Sequence, residues 1–69
     1  MEVSQIKRYL NKLVYYLMPY SDSETEMKMT ACRIQLDTHD GMYRYFAELQ
    51  DIHNTRSILV VPLEDVIVH

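Results

Sequence analysis

The stretch that decides the fold reads Cys32-Arg33-Ile34-Gln35-Leu36-Asp37-Thr38-His39-Asp40-Gly41-Met42-Tyr43-Arg44-Tyr45-Phe46-Ala47-Glu48-Leu49. Apolar and polar residues alternate on both sides of Asp40-Gly41, and a period of two is the mark of a half-buried strand. Asp-Gly is a favoured dipeptide for a type I′ turn, because both residues tolerate positive φ. A two-residue turn at 40–41 sets Leu36 opposite Tyr45, Ile34 opposite Ala47 and Cys32 opposite Leu49 on one apolar face. On the other face it sets Asp37 opposite Arg44 and Arg33 opposite Glu48, each pair worth a few tenths of a kcal/mol. A one-residue slip would scramble both faces at once. The fold is therefore expected to be built on this hairpin.

Working outward, Val3, Ile6, Leu10, Leu13, Val14 and Leu17 recur at spacings of three and four, the stripe of an amphipathic helix that Pro19 then ends. Ser21 to Glu26 is polar and acidic and reads as a connector. Beyond the hairpin, a third strand is expected at about Ser57 to Val61. Pro62-Leu63-Glu64-Asp65 then makes a turn toward a short last strand, Val66 to Val68. The resulting class is α+β in one domain, 1–69: an N-terminal helix on a three- to four-stranded antiparallel meander. The helix stripe should cover the Cys32/Ile34/Leu36 face. Met29, Met42 and Phe46 fall on the opposite face, and Ile58 to Val61 is apolar on both. Either the meander curls into a small, partly closed barrel or these surfaces meet a second copy. A single glycine favours the homodimer, since tight barrel corners use more.

Apolar residues make up 48% and charged residues 25% of 69 residues, the balance of a folded globule with one small core. At this size burial and ordering entropy nearly cancel, which favours a partner. The lone Cys32 forms no internal disulfide, and Met-Glu-Val opens no signal peptide, so a reducing, cytoplasmic setting is expected. The longest apolar run, Ile58 to Val61, is too short to span a bilayer, so no membrane partner is expected.

Catalytic chemistry finds little to work with. Cys32 should point into the core, where a thiol is an inert small hydrophobe. His39, His53 and His69 lack the compact spacing of a metal site, and one glycine builds no phosphate loop. The chain is therefore read as a non-enzyme with no catalytic residue, metal or cofactor.

Three surfaces remain. Phe46, Met42, Met29, Leu59 and Val61 form the expected protein-interaction surface, and a docking protein, acting as a homodimer, is the favoured function. Arg8, Lys12, Tyr15 and Tyr16 should share an exposed helix face able to hold phosphates and stack on bases. A net charge of −3 makes nucleic acid the weaker partner for it. Asp22, Glu24, Glu26, Glu64 and Asp65 could instead imitate phosphates and occupy the nucleic-acid groove of a host enzyme. That inhibitor reading resembles small acidic proteins of phages and mobile elements in size and charge alone.

Overall fold

A computed structural model describes residues 1–69. A 3-10 turn at Val3–Gln5 runs into a short helix, α1, at Ile6–Tyr9. Four antiparallel strands follow in the order β1-β2-β3-β4: β1 Leu13–Leu17, β2 Glu24–Leu36, β3 Tyr43–Asp51 and β4 Ile58–Pro62. The α+β class and the helix-then-meander order are those expected.

The helix is shorter than its periodicity suggests, and Leu13 to Leu17 is a strand. Leu10 is already extended at ψ 127, and Asn11 takes φ 61, a left-handed conformation that asparagine tolerates and that no helix continues through. Beyond it, Leu-Val-Tyr-Tyr-Leu is a β-branched and aromatic run that pairs with the first half of β2, Val14 opposite Met27 and Tyr16 opposite Thr25. Tyr15 and Tyr16 therefore leave the proposed helix face. Glu24 and Glu26 likewise lie on β2 rather than in a connector.

The hairpin forms two residues out of the expected register. Its turn spans four residues, 38–41: the Asp37 N–H donates to the Met42 carbonyl at 2.8 Å and the Gly41 N–H to the Asp37 carbonyl at 2.8 Å, with Gly41 at φ 69. Leu36 accordingly pairs with Tyr43, Ile34 with Tyr45 and Cys32 with Ala47. A shift of two keeps every side chain on its expected face. Both ion pairs survive, because long side chains reach cross-strand neighbours off the direct register. Arg33 Nη2 lies 3.3 Å from Glu48 Oε1, and Arg44 Nε lies 3.1 Å from Asp37 Oδ2.

Arg44 also explains why the longer turn wins. Its Nη2 bonds Asp40 Oδ2 at 2.9 Å, so one guanidinium ties both acids of the turn, while Asp37 and Asp40 accept the backbone N–H of His39 and Met42 at 2.9 Å each. The His39 N–H, then the Arg44 hydrogen bond, hold the Asp37 carboxyl below its ordinary range. Since the folded pKa lies below the unfolded value of about 3.9, this stabilisation is complete above about pH 4 and is lost as pH falls through the folded value. In thermal melts from pH 7 down to pH 2, the wild type should lose more of its Tm than Asp37→Asn. Equal acid losses in both would remove the turn as their source.

Between Met29, opposite Leu49, and Ala31, opposite Glu48, β2 carries one extra residue, Thr30. This bulge switches the parity of the strand. Odd-numbered Met27 and Met29 thereby join even-numbered Cys32 on the inner face, and Met29 is fully buried rather than sharing an outer surface with Phe46.

The core comprises Val14, Met27, Met29, Ala47, Leu49, Val61, Leu63 and Val66, with Ile6, Tyr9 and Tyr16 packed around it. After β4, a 3-10 turn at Leu63–Asp65 carries the chain across to β1, where Ile67 and Tyr15 exchange backbone hydrogen bonds at 2.8 and 2.9 Å. Only this bridge represents the expected Val66 to Val68 strand. The Met1 ammonium donates to the carbonyls of Leu63 and Val66 at 3.2 and 2.7 Å and fastens the same crossing. β1 and β4 do not pair, so the sheet stays open and β4 forms an edge that no strand covers. No helix is long and apolar enough to cross a membrane.

Candidate docking surface

β2 and β3 run on past β1 and β4 as a two-stranded arm, since β1 pairs only with Glu24 to Lys28 and β4 only with Phe46 to Gln50. The inner face of the sheet continues along this arm with nothing over it. Ala47 is buried and Cys32 and Tyr45 half-buried. The next pairs outward, Ile34 with Tyr45 and Leu36 with Tyr43, leave Ile34 63%, Leu36 52% and Tyr43 64% exposed, and Met42 at the turn is 61% exposed. Ile34 and Leu36 were expected under the helix. With α1 ending at Tyr9, no helical residue remains to reach them.

The apolar stripe leads into a cleft of about 310 Å3 beside the chain start, lined by Met1, Val3, Tyr43, Tyr45 and Leu63 and bordered by Arg44 and Glu64. Arm and cleft together give one continuous apolar track with charge at its side. Burial pushes the Cys32 thiol above its ordinary pKa, so at neutral pH it is a protonated, weakly nucleophilic group at the root of the arm.

Of the expected interaction surface, Met29 and Val61 are in the core and unavailable. Leu59 is half-buried on the inner face opposite Leu49, and Phe46 is half-buried on the outer face opposite Pro62. Only Met42 lies on the exposed arm. The basic face does not assemble either. Arg8 is on α1 and Lys12 in the link to β1, while Tyr15 and Tyr16 point to opposite faces of β1. Tyr16 packs on the core, and Tyr15 lies 4.7 Å from the His69 ring, whose Nε2 meets Glu24 Oε2 at 2.6 Å.

Two of the acids do converge. Glu64 and Asp65 line a depression with Tyr16, Leu17 and Ile67, and Glu24 is the cross-strand partner of Leu17. Asp22 is exposed in the β1–β2 loop and Glu26 opposite Tyr15. No group of three or more His, Cys, Asp or Glu side chains is placed to hold a metal ion.

Ile34, Leu36 and Tyr43 were the residues missed as surface, and one signal pointed to them. The alternating runs on either side of the turn are longer than any neighbouring segment that could cover both ends. No protein-family model matches this chain, and neither does any curated protein or solved structure.

Proposed function

We propose that this chain is a non-catalytic docking protein that meets a partner protein through the inner face of its β2–β3 arm. The observation that supports this is the uncovered continuation of the core face, with Ile34, Leu36 and Tyr43 each more than half exposed in adjacent positions. Contiguous apolar surface carries a hydration cost that association relieves. Tyrosine at its centre is a favoured anchor, and the Arg44–Asp37–Asp40 cluster is suited to a polar rim.

A photo-crosslinking residue at Leu36, introduced into the native cell, should yield a discrete protein adduct that the same residue at His53 does not. Ile34→Asp should abolish that adduct while leaving the circular dichroism and Tm within a few degrees of wild type, because the replaced side chain is already 63% exposed. An adduct that persists in Ile34→Asp would sink the assignment of the arm.

Acidic mimicry is the second reading, favoured by the gathering of Glu64 and Asp65 beside Leu17 and Glu24. It differs in outcome: the captured protein would bind nucleic acid, and nucleic acid would compete for it. Simultaneous binding of both would exclude it.

A further inference from the structure

The outer edge of β4 is a second, separate surface. The Asp51 N–H donates to the Ser57 carbonyl at 3.0 Å, which makes 51 and 57 a hydrogen-bonded pair of the β3–β4 ladder. Such pairs alternate along an antiparallel ladder. Leu59 and Val61 therefore turn their backbone groups toward β3, and Ile58, Val60 and Pro62 turn theirs outward to an edge that no strand covers. Proline suits this position, because the N–H it lacks would have faced away from the sheet.

Edge strands usually carry a charge, a proline, a bulge or a covering loop against pairing with another chain, and β4 has only Pro62, at its last position. Ile58-Leu59-Val60-Val61 has no charged residue, and Ile58 and Val60 are 55% and 49% exposed on the outer face. The opposite edge of the sheet differs, because Ile67 already occupies β1.

We infer that β4 pairs antiparallel with β4 of a second copy about a twofold axis at Val60, joining two sheets into one. Both residues of a hydrogen-bonded pair must turn outward, so the residue numbers facing each other must both be even. With the axis at Val60, Val60 meets its own counterpart and exchanges two hydrogen bonds with it. Ile58 donates its N–H to the Pro62 carbonyl of the other copy, twice by symmetry, and the one donor missing from the ladder is that of proline.

Strand length selects this register among its neighbours, because about Val60 all five residues of β4, Ile58–Pro62, face one another. Antiparallel pairing brings Arg56, in the turn before β4, to the end where Glu64 of the other copy sits in the 3-10 turn after it, at both ends. Both residues are exposed, and neither takes part in an ion pair within its own chain. An axis at Leu59 or at Val61 leaves only three residues of β4 facing one another. An isologous contact of this kind closes on itself and stops at two copies.

Sedimentation equilibrium on the full chain tests the inference. The wild type should be a dimer, and Val60→Pro should be a folded monomer, since proline there removes an outward N–H and no bond to β3. Arg56→Glu should raise the dimer dissociation constant roughly tenfold, and adding Glu64→Arg to it should restore the wild-type value. Should Val60→Pro unfold, the charge exchange still decides. A monomeric wild type overturns the inference. So does a dimer that Arg56→Glu leaves unchanged, or one that Ile34→Asp dissolves, the last assigning self-association to the arm. Loss of partner capture in Ile34→Asp with the dimer intact keeps the two surfaces distinct.

Discussion

Deleting Thr30 should unfold the protein, whereas Thr30→Ala should leave it folded. Thr30 is the extra residue of the β2 bulge, and its removal leaves a strand that cannot face both halves inward. If Ala31 to Leu36 keep their pairing with β3, Met27 and Met29 swing to solvent and the ladder that holds Val14 against Met27 goes with them. Each of those three side chains is essentially fully buried, and burying such a side chain is worth roughly 1.5–3 kcal/mol. The total stability expected of a domain is about 0.05–0.15 kcal/mol per residue, so losing all three removes most or all of the margin of a 69-residue chain. Thr30→Ala keeps the residue count and loses only the hydroxyl bond to the Glu48 carbonyl at 3.2 Å, a cost of about 0.5–1.5 kcal/mol. Urea unfolding followed by circular dichroism separates the two. A cooperative transition in the deletion variant near the wild-type midpoint would show that the bulge does not set the packing.

The same bulge marks the limit of what the sequence could disclose. Alternation around Asp40-Gly41 was enough to find the hairpin and to sort side chains between faces, and an error of two residues in register left that sorting intact. An inserted residue has no such tolerance, and nothing in Met27-Lys28-Met29-Thr30-Ala31 distinguishes a bulge from a strand that simply has its methionines outside. Leu13 to Leu17 failed for a different reason. Leu13, Val14 and Leu17 fit a helix spacing, while Val14 and Tyr16 fit an inward strand spacing, and in so short a run the two periods cannot be told apart. The left-handed Asn11 decides between them, and asparagine adopts that conformation too seldom to be read from its identity alone. The arm became visible only once the helix was known to stop, because the same apolar stripe serves equally as core or as docking face.

Met29 and Met42 put that ambiguity to a quantitative test, since period two along one unbroken strand assigns them a common outer face with Phe46. Met29 is wholly inaccessible in the core, whereas Met42 is 61% exposed where the turn meets β3. Truncating a buried methionine to alanine removes its transfer free energy and leaves a cavity, a cost of about 2–5 kcal/mol. For a domain of this size that is a large share of the whole, and Met29→Ala should lower the urea midpoint sharply or leave the chain partly unfolded at 37 °C. Met42→Ala should stay within about 0.5 kcal/mol of wild type, because its side chain gives up little buried surface. The docking assay reads the face as well as the stability. Met42→Ala, folded and changed only on the outer face that Met42 shares with Arg44 and Phe46, should leave the arm adduct as it is, whereas Met29→Ala should weaken it in proportion to the fraction unfolded. Equal stability in the two variants would mean that β2 runs straight through Thr30, and the inner face, the arm and its apolar track would all have to be redrawn.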